Sequence, residues 1–234
     1  MSTNPSPRFL LAVLAGVALA APAISAAPAG RQQTVSLAEA LDRQIADRHG
    51  VVWSGARRLT WDDFEAPVTN AGANEAAHLE YALFYGVRCT GRALEFRVVT
   101  AMIPSGSWVR SSVLESAADS ARTLQHEQTH FDLAEVHARK MRTFFDGLYE
   151  PCLKSSEELA ALADRMVKAE ATEQKRYDEE TANGRRADAQ QKWNADVAAR
   201  LLSKDLGAAD RPQTRRPGVG HADLAVVQRG RSGE

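Results

Sequence analysis

The chain has 234 residues, 44% of them hydrophobic and 25% charged, with a formal net charge of −1. That length gives room for one ordinary domain with a real core, plus tails. The near-neutral balance, with no basic stripe interleaved with aromatics, argues against a nucleic-acid partner, and beyond the N-terminus no apolar run is long enough to span a bilayer.

Residues 1–26 read as an export signal. Arg8 is the only charge before the apolar run from Phe9 to Ala21, and small residues follow in "APAISAAPAG". Cleavage is expected near Ala26 to Ala29. No cysteine lies nearby to carry a lipid, so no stable membrane anchor is expected, and the mature chain should be periplasmic or secreted. In that oxidising setting the two cysteines, Cys89 and Cys152, are expected to pair. Such a bridge would close a loop of about 60 residues and contribute about 4 kcal/mol by the chain-entropy argument.

Residues 27–54 read as an N-terminal linker, with a short helix over "SLAEALDRQIADRHG". A folded domain is expected over 55–205. In "LEYALFYGVRC" (79–89), Leu79, Tyr81, Leu83, Tyr85, Val87 and Cys89 alternate with the other face, the period of a strand with one better-buried side. "ALEFRVVTAM" (93–102) repeats the pattern after the turn residues "CTGR", predicting a hairpin that Pro104, Ser105 and Gly106 bring to an end.

The rest reads as helical. A long helix is expected over 111–149, with Phe131, Ala134, Ala138, Met141 and Phe145 on one broad apolar face. A second begins at Ser155 or Ser156, with Glu158 in its first turn, and stops at Asn183-Gly184. A third covers "ADAQQKWNADVAARLLSKDL" (187–206), and residues 206–234, rich in Arg, Pro and Gly, read as a disordered tail. Strands first and helices after them make an α+β domain.

The chemistry is concentrated in "QHEQTHFDLAE", 125–135. The chain holds six histidines, and at that frequency a chance His-Glu-x-x-His would appear in roughly one such chain in a hundred. On a helix, residues four apart sit one above the other, so His126 and His130 can aim at one Zn2+ ion. Glu127 can take a proton from the zinc-bound water and pass it to the leaving amine. The two histidines border the apolar face and Glu127 turns towards it, which a solvated stripe would not do. The long metzincin pattern needs Gly at 133 and His at 136; this chain has Leu133 and Val136. His137 lies about 10 Å along the axis from His130, too far to share the metal. Asp132 and Glu135 read as helix-surface charges, with Asp132 a candidate to orient a ligand imidazole.

A third ligand should come from the second helix. If the two long helices pack as an antiparallel hairpin, positions 126–130 face roughly 174–178. The apolar stripe of Leu159, Leu162, Met166 and Ala169 continues into Glu173, Tyr177 and Glu180. A carboxylate of Asp178 or Glu180, then of Glu173, is the candidate ligand, and Tyr177 a candidate donor to the oxyanion.

The motifs "LTWDDF" (59–64), "SWV" (107–109), "HEQTHFDLAEVHARK" (126–140), "YDEET" (177–181) and "QQKWN" (190–194) resemble, in matching order over roughly residues 55 to 205, the domain-of-unknown-function 922 family. The resemblance implies a secreted, zinc-dependent bacterial protease of zincin-like fold, with His126 and His130 as ligands and Glu127 as base. In that fold a small antiparallel sheet packs on the long His-Glu-x-x-His helix and its antiparallel partner. Before Gly184 the family's pattern carries a histidine where this chain has Asn183. The expected function is an exported zinc metallopeptidase acting on a protein or peptide substrate. The alternative is a non-catalytic envelope protein that keeps a zincin-like metal or binding module.

Overall fold

Ser36 opens the first helix, α1 (Leu37–Ala46), by a reciprocal capping box with Glu39. Leu37, Leu41 and Ile45, four residues apart, are buried on one face. That face packs on Ala82, Phe84, Ala101 and Ile103 of the sheet. Strand β1 (Val51–Val52) follows and pairs with Met102 and Ala101. The stretch read as an N-terminal linker over 27–54 is thus part of the domain from residue 37 onward. The short helix expected there forms, and it is its apolar face that ties the stretch to the sheet. The computed structural model describes residues 35–69 and 75–203, and the backbone alone of 226–231. The expected signal over 1–26 lies outside the described residues.

The predicted hairpin forms within one residue of its expected ends: β3 (Glu80–Thr90) runs antiparallel to β4 (Ala93–Met102). Gly91 sits at φ +60° in the two-residue turn, a conformation that glycine adopts without cost. Tyr81, Leu83, Tyr85 and Met102 face a core shared with Phe131, Ala134, Ala138, Met141, Phe145 and Leu159. The opposite face, expected to be the less buried, is covered by α1, and Phe84 is fully buried there. Beside this sheet, β2 (Ala77–His78) pairs with β5 (Trp108–Val109). The main sheet has the order β1-β4-β3-β6. Its last member, β6 (Val226–Arg231), pairs with β3 from within the stretch read as a disordered tail. The overall Arg, Pro and Gly content masked a short β-branched segment beginning with Val226 and Val227. Residues 204–225 lie outside the described residues.

The long helix is interrupted early. A four-residue turn, α2 (Ser111–Leu114), is followed by Ser116, whose side chain caps α3 (Ala117–Asp146). The partner helix α4 (Ser156–Thr181) starts on a Ser155–Glu158 capping box, as the sequence predicts. Helix α5 (Ala187–Leu202) closes the far side, where Leu133, Val136, Tyr177, Trp193 and Val197 form a second core. Cys89 and Cys152 are bonded, with Cα atoms 5.7 Å apart, and join the end of β3 to the α3–α4 connection. The domain is α+β, with small antiparallel sheets and several helices. Among the described residues no helix is long and apolar enough to cross a membrane.

Candidate metal centre

Helix α3 runs through the middle of the domain, so its residues 126–138 are buried on every side. Helix α4 runs against it in the opposite sense: His126 meets Asp178, His130 meets Gln174 and Phe145 shares a core with Leu159. This is the register that the length of the connection predicted. His126 Nε2 and His130 Nε2 lie 3.2 Å apart. Asp178 Oδ1 is 3.1 Å from the first and 2.9 Å from the second. A tetrahedral zinc with bonds of about 2.0–2.1 Å separates its ligand atoms by about 3.3 Å. The three donor atoms therefore stand close to the spacing that one ion requires.

The rear nitrogens explain why the front ones point inward. His130 Nδ1 lies 2.6 Å from Gln174 Oε1, and Gln174 Nε2 donates to the His130 carbonyl oxygen (3.0 Å) and to Glu170 Oε1 (2.7 Å). Turning that amide over would set its oxygen against two oxygens, so His130 carries its proton on Nδ1. His126 Nδ1 lies 3.1 Å from Gln190 Oε1, while Gln190 Nε2 donates to the Tyr177 hydroxyl (2.6 Å) and Asn194 Oδ1 (2.7 Å). Both Nε2 atoms then present lone pairs to each other and to a carboxylate oxygen. Three acceptors converging at this distance repel unless a cation lies among them. A dication bound by two imidazoles and one carboxylate fits this donor set and leaves a fourth position. His126, His130 and Asp178 form the one three-residue group with metal-ligand character among the described residues.

Glu127, also buried, lines the same pocket of about 160 Å³ as the three donors, together with Asn183 and the β2 residue Ala77. Arg122 and Arg185 stand at its rim. The turn after α4 closes over His126. Asn183 N donates to the Asp178 carbonyl oxygen at 2.9 Å and Gly184 N to Thr181 Oγ1 at 3.2 Å. Gly184 has φ +75°, and a Cβ there would stand 3.1 Å from His126 Cβ and Cγ. Only glycine serves at that point.

Several expected site residues lie elsewhere. Glu180, two residues beyond Asp178, lies on the α5 side, where it accepts from Trp193 Nε1 at 2.8 Å with its side chain about half exposed, away from the two histidines. Glu173 is bound to His137 (2.6 Å) and Arg200 (3.0 Å), one turn too far along α4. Tyr177, expected as an oxyanion donor, is fully buried behind the imidazoles. It stacks on His126 with ring centroids 4.7 Å apart, and its hydroxyl donates to the His126 carbonyl oxygen and accepts from Gln190 Nε2. The hydroxyl thus faces the His126 backbone and Gln190 and does not line the pocket. Asp132 and Glu135 are buried, not surface charges. Asp132 accepts from Trp53, Arg58 and Gln128, not from an imidazole.

Sequence reasoning missed Gln174, Gln190, Glu170 and Tyr81. Glu170 and Gln174 continue with Asp178 at spacings of four on α4, a stripe the sequence displays once Asp178 is known to face inward. The family described as "Bacterial protein of unknown function (DUF922)" matches over residues 34–185. That match begins earlier than the expected boundary at 55, in agreement with α1, and ends before the "QQKWN" stretch. No curated protein and no solved structure matches the chain.

Proposed function

The chain belongs to that family, whose description assigns no activity, and from this footing we propose that it is an exported zinc-dependent metallopeptidase of zincin-like design. The observation that carries the reading is the convergence of His126, His130 and Asp178 beside Glu127 in one pocket. Zinc held by those three residues would polarise the scissile carbonyl and bring the pKa of a water towards neutrality. Glu127 takes a proton from the attacking water, whose oxygen bonds to the carbonyl carbon. It delivers that proton to the amide nitrogen as the C–N bond breaks. Gln174 and Gln190 hold the imidazoles, and Tyr177 packs against both rings. The Cys89–Cys152 bridge supports an oxidising destination, in keeping with the N-terminal export pattern.

Glu127→Gln separates binding from turnover. The mature variant is expected to keep stoichiometric zinc by metal analysis and to lose hydrolysis of casein or peptides by about three orders of magnitude or more. Proteolysis at the wild-type rate would remove Glu127 from the mechanism. A second reading, a non-catalytic envelope protein keeping the metal site, is favoured by the pocket's small volume of about 160 Å³, against the roughly 300–1,000 Å³ usual for ligand sites. It predicts bound zinc and no cleavage of any peptide by either form.

A further inference from the structure

The two histidines that face each other across the centre are backed by unequal chains of hydrogen bonds. Behind His130 stands Gln174, whose amide nitrogen is shared between the His130 carbonyl and Glu170. Glu170 is almost wholly buried, and the same oxygen, Oε1, accepts the Tyr81 hydroxyl at 2.6 Å. Tyr81 is on β3, so this chain ends in a carboxylate tied to the sheet. Behind His126 stands Gln190, joined to the Tyr177 hydroxyl and to Asn194, whose Oδ1 also accepts from Thr129. That chain contains no charge. Each imidazole is thus held by a neutral amide, and only the His130 side ends in an acidic side chain, Glu170, whose carboxyl burial pushes up against the opposing hydrogen bonds from Tyr81 and Gln174.

We propose that Gln174 and Gln190 are positioning residues that fix the tautomer and aim of the two metal-binding histidines, and that Glu170, anchored by Tyr81, strengthens His130 as the tighter of the two donors. The proposal rests on the metal-site reading above. The physical ground is that an acceptor on Nδ1–H both orients an imidazole and raises the basicity of Nε2. A carboxylate one bond further out polarises the intervening amide in the same direction. A network that only stitches helices together would alter stability when broken, and metal affinity no more than in proportion.

The test is zinc and cobalt binding to the purified, oxidised mature chain against a competing chelator. The variants are Gln174→Leu, Gln190→Leu, Glu170→Gln and Gln190→Glu, each with its metal-free melting curve. Gln174→Leu and Gln190→Leu are expected to weaken zinc about 10- to 100-fold. Glu170→Gln, which keeps shape and removes charge, is expected to weaken it several-fold and to shift the cobalt absorption bands. Gln190→Glu supplies an anionic acceptor that the Tyr177 hydroxyl and a turned Asn194 amide can satisfy, and is expected to bind at least as tightly as wild type. Leucine variants that fold and hold zinc within twofold of wild type would overturn the proposal. So would losses that track the fall in melting temperature, with an unchanged cobalt spectrum. If the leucine variants do not fold, the two isosteric variants decide, and wild-type affinity and spectrum in Glu170→Gln, or weakened binding in Gln190→Glu, would overturn it. A wild-type chain that binds neither metal would instead overturn the metal site itself.

Discussion

Helix α3 carries two consecutive sets of buried polar side chains that look alike in sequence and differ in what surrounds them. In the second set every charge has an opposite. Asp132 meets Arg58 and the Trp53 indole, Glu135 meets Arg139, Arg142 and the Thr100 hydroxyl, and His137 meets Glu173. In the first set, His126 and His130 turn lone pairs towards each other and towards Asp178, with their donor nitrogens facing away. The 132–137 set is complete as it stands and holds the N-terminal segment, the sheet and α4 onto α3. The 126–130 set gathers its acceptors at one point, the arrangement that a bound cation would complete. Burial and polarity alone do not separate structure from site; the balance of donors and acceptors does.

Substitutions that empty one set and spare the other test the distinction. The largest effect is expected for Asp178→Ala, with zinc affinity falling more than about 100-fold, beyond the range of an outer partner. Its metal-free stability by denaturant unfolding is expected to stay within about 1 kcal/mol of wild type, since repulsion is relieved as contacts are lost. Strong destabilisation with zinc affinity intact would reverse the assignment. Asp132→Ala should do the opposite: it strands the Trp53 and Gln128 donors at a cost of about 2–3 kcal/mol while zinc affinity, by the same chelator competition, stays put. The smallest effect, about 1 kcal/mol, is expected for Glu173→Gln. A hydrogen bond from His137 is the largest influence on the Glu173 carboxyl, and with Arg200 it holds that group far below its ordinary value of 4.5 against the opposing effect of burial. A depressed folded value means the contribution is complete above pH 4.5 and fades as pH falls towards that depressed value. The stability gap between wild type and Glu173→Gln should therefore be constant at mildly acidic to neutral pH and close on further acidification. A gap that widened with acid would show the sign to be wrong.

The hairpin, the serine cap of α4 and the facing of α3 and α4 were legible because each depends on local spacing and a short connection. The approach of Asp178 to the two histidines was legible to within two alternatives, Glu180 and Glu173, since the antiparallel register fixes height along a helix more tightly than angle around it. Angle is what separated Asp178 from Glu180 and placed Tyr177 behind the rings. Glutamines gave no warning, because as a residue type they are ordinary on exposed helix faces; Gln174 and Gln190 matter only through partners 44 and 64 residues away. The depth of α3 was also hidden. A helix read as having one apolar face is enclosed on all sides over 126–138, because α5 and the 51–60 segment cover what the sequence leaves polar.

The two glycine turns described above set where this chain can be lengthened. A Cβ at Gly91 would have nothing within 4 Å, and the residues on either side of the turn already pair across it, so an added loop would project into solvent and leave β3 and β4 in register. At Gly184 the chain lies against His126 itself, and the preceding backbone is hydrogen-bonded to the last turn of α4. An inserted residue there would lift the cover from one histidine and loosen the end of the helix that brings Asp178. Tags, reporters and natural insertions should accordingly be accommodated at the tip of the hairpin and rejected between α4 and α5. That makes the hairpin tip the place to attach a probe without disturbing the centre.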